Sequence, residues 1–190
     1  LGEPDLVVTV PAAYMLLPGD LDVFRNLVLP VSLPASQFIR AVEFRPGSNR
    51  AVHHAVISLD RTRASRRRDG ADGRPGYDGM ITQGAENPDG HFLGWTPGRG
   101  PILAPDGMPW RLDSGTDLVV QLHLLPQDRP EKVRPAIGLH FSETPPTKVP
   151  LMIKLGSKAI DIPAGEANYT ITDAYVLPVE VDVLSVYPHA

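Results

Sequence analysis

The sequence predicts an all-β chain, an antiparallel β-sandwich or jelly roll, on three observations. Proline is scattered along the whole length, 21 in 190 residues, and proline interrupts helix interiors and central strands alike. No long stretch carries a helical period. Short β-rich runs recur instead, separated by turn signals such as Pro18-Gly19-Asp20, Arg45-Pro46-Gly47-Ser48-Asn49 and Pro163-Ala164-Gly165, which is the spacing of sandwich folds.

The runs follow in order. Residues 6–10 (LVVTV), 23–31 (VFRNLVLPV), 38–44 (FIRAVEF) and 51–59 (AVHHAVISL) are strands bounded by Pro, Gly, Asn and Ser. Residues 61–79 are basic, Gly-rich and polar and read as a solvated, mobile loop. Residues 83–117 are rich in Gly and Pro but hold Trp95 and Trp110, so this second long loop packs on the body. Strands resume at 118–125 (LVVQLHLL) and 137–142 (IGLHFS), and the segment 126–135 between them reads as a hairpin loop that makes the two neighbours. The stretch Thr144-Pro145-Pro146-Thr147-Lys148 reads as a linker between domains. Beyond it lie three more predicted strands, 151–155 (LMIKL), 169–176 (YTITDAYV) and 179–187 (VEVDVLSVY).

Composition narrows the function classes. A net charge of -4 argues against nucleic acid as the main partner. No apolar run approaches the roughly 18 residues of a membrane span. The absence of cysteine removes disulfides and thiolate metal ligands. With 42% hydrophobic residues, a packed core is expected.

Histidine carries the chemistry. His53 and His54 are neighbours within an apolar run, and imidazole is costly to bury without a partner. In a regular strand adjacent side chains leave on opposite faces, so the two rings are expected to clamp an ion at a strand edge, each through the nitrogen nearer its Cβ, from roughly opposite sides. In 118–125 the residues Leu118, Val120, Leu122 and Leu124 share the core face, while Val119, Gln121, His123 and Leu125 share the other. A third imidazole, His123 for instance, would complete a T-shaped or tetragonal site made of nitrogen alone, which suits copper, iron or zinc, and Cu(II) best; on spacing alone, a structural or incidental role for the three histidines is the alternative. His140 is expected on the same face as His123, near the site or at the surface, and His91 in a solvent-exposed loop. A zinc hydrolase needs a general base, and no Asp or Glu adjoins His53, His54 or His123 in the sequence.

Five segments in order, VHHAVI (52–57), GWTPGRGP (94–101), LVVQLHLLP (118–126), IPAGEANY (162–169) and SVYPHA (185–190), resemble the copper type II, ascorbate-dependent monooxygenases, the family of peptidylglycine α-hydroxylating monooxygenase and dopamine β-monooxygenase with its bacterial relatives. The resemblance covers nearly the whole chain. It implies two tandem jelly-roll domains, each holding one copper. On that footing residues 1–143 are the electron-transfer domain, with His53, His54 and His123 as its copper ligands and Gln121 close behind them. Residues 144–148 are the linker, and 149–190 open a second, incomplete jelly roll. His189 matches the first residue of the family's His-x-His ligand pair at the oxygen-activating copper. Met15, Met80, Met108 and Met152 all precede it, so none matches the family's Met ligand. The resemblance further implies O2, ascorbate or another reductant, and an organic substrate as partners, a periplasmic or secreted location, and no hydroxylation by this chain alone. A non-catalytic copper-binding or interaction jelly roll is the competing expectation; a His following Ala190 and a distant downstream Met in the native protein would favour the enzyme.

Overall fold

The structure is a computed structural model that describes every residue except 81, 83, 158, 189 and 190. It divides into two units, Leu1–Met152 and Ile153–Ala190.

The first unit is all-β. Its strands are β1 (Leu6–Thr9), β2 (Tyr14–Leu16), β3 (Val23–Leu29), β4 (Gln37–Arg45), β5 (Val52–Asp60), β6 (Tyr77–Asp78), β7 (Leu93–Trp95), β8 (Ile102–Leu103), β9 (Trp110–Leu112), β10 (Asp117–Leu124), β11 (Glu131–Val133) and β12 (Ala136–Ser142). One sheet runs β6-β3-β10-β5-β7; the other runs β1-β12-β4, with β8 and β9 both pairing with β4. Every pairing is antiparallel. The long strands coincide with the apolar runs to within a residue or two. β3 stops at Leu29 because Pro30 has no N–H to continue the ladder.

The inward-facing side chains of these strands build one core between the two sheets. Leu118, Val120, Leu122 and Leu124 of β10 and Ile57 and Leu59 of β5 meet Ile39, Val42 and Phe44 of β4 and Ile137 and Leu139 of β12. Each such side chain contributes about 1.5–3 kcal/mol on burial. Trp95 packs into this core against Phe44, with ring centroids 5.1 Å apart, and its Nε1–H donates to the Arg99 carbonyl at 3.1 Å. Its role is packing.

Three expectations are corrected. First, 61–79 is not a loosely solvated loop but a segment tied to the sheet. Arg25 of β3 is fully buried. Its guanidinium donates to Asp72 (2.6 and 2.8 Å), to Asp78 (2.7 Å), and to the carbonyls of Arg74, Pro75 and Gly76 (2.8, 2.8 and 3.0 Å). At the other end, the buried Asp60 carboxylate accepts from the Ser65 amide (2.6 Å) and from the Thr62 amide and hydroxyl (2.9 and 2.8 Å). Burial pushes the Asp60 carboxyl up, but the bonds from Ser65 and Thr62 outweigh it and bring it down to about 2. Gly76, at φ 80°, lies so close to β3 that a Cβ would sit 2.3 Å from the Asn26 carbonyl oxygen, so only glycine fits.

Second, 126–135 is not a hairpin. β10 has β3 on one side and β5 on the other, so it has no free edge for β12. The segment passes to the other sheet, and β11 within it pairs with β2. Third, none of the described residues from 149 onward lies in a strand. The turn at Pro163–Glu166 is present, closed by the Glu166 amide on the Pro163 carbonyl at 3.1 Å. The apolar side chains of the expected strands are exposed: Val176 by 90%, Val183 by 73%, Val186 by 83%. A strand is held by its ladder partner, and the described residues of the second unit supply none to one another. Residues 147 and 148 belong to the first unit, their amides donating to the Gly107 carbonyl at 2.9 and 3.1 Å.

Candidate metal centre

The site sits on the outer face of the β3-β10-β5 part of the sheet. Antiparallel register sets Phe24, His123 and His54 in a row across the three strands. Directly opposed residues on one face are the closest neighbours a sheet offers, so the position of His123 in the LVVQLHLL alternation brings it against His54.

His53 joins them through a β-bulge. His123 pairs with His54, but the next residue, Leu124, pairs with Val52. His53 is thus the extra residue on β5, and a bulge re-aims side chains in this way. The core pattern of β5 records it. Val52, Ala55, Ile57 and Leu59 all face the core, with a gap of three residues before the regular gaps of two. His53 and His54 both fall in that wider gap and both turn away from the core. This corrects the expectation that the neighbouring rings leave on opposite faces. The bulge lets adjacent residues act from one side.

All three rings present Nδ1 to one point. The His53 Nδ1 lies 3.1 Å from the His54 Nδ1 and 3.2 Å from the His123 Nδ1, and the three ligand atoms fall within 4.8 Å of one another. An ion bound at about 2.0–2.1 Å holds neighbouring nitrogens about 3 Å apart and opposite ones about 4 Å apart. The His53 nitrogen therefore stands as neighbour to both others, not opposite His54 as the regular-strand argument expected. Three lone pairs directed at one point repel unless a proton or a cation lies between them. The donor set, three imidazoles without thiolate, fits a borderline transition-metal ion. His53 is exposed, and His54 and His123 are half-buried, which leaves one side of the site open to solvent.

The surroundings of His123 fix its ring. The Phe24 ring stacks on it, centroids 4.4 Å apart and planes 4° from parallel. The far nitrogen of His123, Nε2, is buried and has no hydrogen-bond partner; the nearest carboxylate oxygen is Asp22 Oδ2, at 3.7 Å. Folding thus brings the Asp22 carboxylate to the trio, but against the nitrogen that points away from the ligand atoms, which is no place for the general base of a zinc hydrolase. Gln121 lies two residues from His123 on the same face. Its Nε2–H donates to the Asn26 side-chain oxygen at 3.3 Å and to the Gly79 carbonyl at 3.2 Å, so it ties β10 to β3 and to the end of the 61–79 segment.

The other histidines lie elsewhere. His140 does not share the face of His123, because β12 belongs to the other sheet. It is fully buried, with Nε2 2.9 Å from the Glu43 carboxylate, and that hydrogen bond holds the Glu43 carboxyl below the usual carboxylate range. His91 is not a solvent-exposed loop residue but is buried. Its Nδ1 faces the carbonyls of Pro88 (3.0 Å) and Asp89 (3.2 Å), and its Nε2 faces that of Met108 (2.8 Å), so it pins two loops together. His189 lies outside the described residues. Sequence reasoning missed the bulge, Phe24 and Asp22. The three-residue gap between Val52 and Ala55 was the readable signal for the first; the other two depend on which strand lies beside β10.

No helix among the described residues is long and apolar enough to cross a membrane. Comparisons with protein-family models, curated proteins and solved structures gave no match to this chain.

Proposed function

We propose that this chain carries the electron-transfer copper centre of a copper-dependent monooxygenase, a protein that hydroxylates a C–H bond of an organic substrate with O2 and a reductant such as ascorbate. The observation that supports it is the convergence of the His53, His54 and His123 Nδ1 atoms, the trio that the resemblance names. Copper held by these three would alternate between Cu(I) and Cu(II) and so pass single electrons.

The protein's own residues do the rest. The bulge at His53 holds two neighbouring imidazoles toward one ion at the cost of a single extra residue in β5. Phe24 keeps the His123 ring flat against β3, so the nitrogen cluster is set by the sheet and not by flexible loops. Rigid placement of this kind keeps reorganisation small when the charge of a bound ion changes. The exposed face at His53 admits a small reductant. A second copper site in a further domain, with His189 among its ligands, and a periplasmic or secreted location belong to the same reading.

The reading predicts that ascorbate bleaches the Cu(II) electron paramagnetic resonance signal of the loaded chain, and that air restores it without hydroxylated product. Bound Cu(II) that ascorbate leaves unreduced would favour the competing reading, a non-catalytic copper-binding module, and end the monooxygenase one.

A further inference from the structure

We infer that Asp22 is a positioning residue for the metal centre: its carboxylate takes the Nε2–H of His123 and thereby holds that ring in the tautomer whose Nδ1 lone pair faces the ion. The inference rests on the metal-site reading above and adds to it a residue that the motif resemblance does not contain.

Three observations carry it. A neutral imidazole has a single N–H. If Nδ1 of His123 is to bind a metal, the proton must sit on Nε2. Yet Nε2 is buried and without a hydrogen-bond partner, and a buried N–H left unpaired costs about 1–3 kcal/mol. Among the described residues the carboxylate beside it is Asp22, whose Oδ2 is 3.7 Å away, a few tenths of an ångström beyond hydrogen-bond range. The Asp22 side chain is 69% exposed, which leaves it room for the small rotation that closes the gap.

The sequence explains why Asp22 stands there. Asp22 stands at the bend just before β3, two residues ahead of Phe24, and Phe24 is the cross-strand partner of His123. The pair therefore acts on one ring: Phe24 stacks against its plane while Asp22 addresses its outer nitrogen. A metal-bound imidazole whose other N–H meets a carboxylate is oriented and made more basic, and loss of such a partner costs about 10–100-fold in metal affinity. A more basic imidazole favours the higher charge of Cu(II) over Cu(I), so the carboxylate also lowers the midpoint potential.

The test uses the full chain loaded with copper, comparing wild type, Asp22→Ala and Asp22→Asn by chelator competition and by redox titration. Asp22→Ala is expected to weaken Cu(II) binding about 10–100-fold and to raise the midpoint potential. Asp22→Asn, which keeps an acceptor oxygen but loses the charge, is expected to fall between the two. A wild-type potential and affinity in Asp22→Ala overturn the role of Asp22 while leaving the metal site standing. A wild type that takes up no copper overturns the metal site itself and this inference with it. If Asp22→Ala does not fold, the isosteric Asp22→Asn decides alone: lowered affinity supports the role, and wild-type affinity overturns it.

Discussion

His123→Ala is expected to abolish tight copper uptake, and His54→Ala and His53→Ala to do the same. Each substitution removes one of three ligand atoms that meet within 4.8 Å, a loss greater than the about 10–100-fold that follows removal of a partner behind a ligand. The effect should be specific. His140 lies in the other sheet with Glu43, and His91 sits between loop carbonyls. His140→Ala and His91→Ala should therefore disturb stability but leave copper stoichiometry at the wild-type level. Metal analysis of the five variants after loading and desalting checks both halves. Copper retained in His123→Ala, or lost equally in His140→Ala, would break the assignment. The bulge adds one more discriminating feature. Because His53 and His54 reach the same point only through the irregular pairing at Val52–His54, the two neighbours should behave as equals, which a regular strand does not allow.

Arg25→Met is expected to destabilise the first unit by about 3 kcal/mol. Breaking a buried ion pair costs about 3–5 kcal/mol, and the lower end applies because Asp72 and Asp78 are 41% and 69% exposed and regain water when the guanidinium is gone. The carbonyls of Arg74, Pro75 and Gly76 lose their donor together, so the 61–79 segment should loosen first, with raised proteolysis there before global unfolding. Acid should reveal the same contact. The Arg25 hydrogen bond, opposed by partial burial, holds the Asp72 carboxyl well below the usual range. A depressed carboxylate contributes stability that is fully present above its unfolded value, near 3.9, and is lost as pH falls through its folded value. Wild type should therefore lose this share on acidification below about pH 4, and Arg25→Met should have less of it to lose, keeping only what the backbone amides of Asp72 and Arg74 supply. Asp60, held at about 2 by Ser65 and Thr62, contributes in the same direction in both proteins. Urea unfolding at neutral and acid pH measures the difference; a cost below about 1 kcal/mol would mean that the ion pair is merely superficial.

These contacts show where the sequence is readable. The core faces of β10 and β12 follow the period of two, and that period alone set His123 and Gln121 off the core. Local pattern also carried Trp95, whose apolar mass beside turn residues implied packing. Pairing was not readable. Nothing in IGLHFS says that it joins β1 and β4 instead of β10, and with that choice His140 moved to another sheet. The 61–79 segment misled for a related reason. Its charge and glycine content are those of a solvated loop, but its aspartates answer a buried arginine on β3, some fifty residues earlier in the chain. The histidine pair was partly readable. The neighbours and their distant partner stood out, whereas the bulge was hidden because a strict alternation was imposed on a run whose apolar residues are spaced three, then two.

The most direct test of the central claim is electron paramagnetic resonance of the Cu(II)-loaded chain, with wild type and His123→Ala side by side. Three imidazoles on a single ion predict an axial type II spectrum with couplings to several nitrogens in wild type, and its disappearance in His123→Ala. A wild-type spectrum of copper in water, or a nitrogen-coupled spectrum that persists unchanged in His123→Ala, would contradict it.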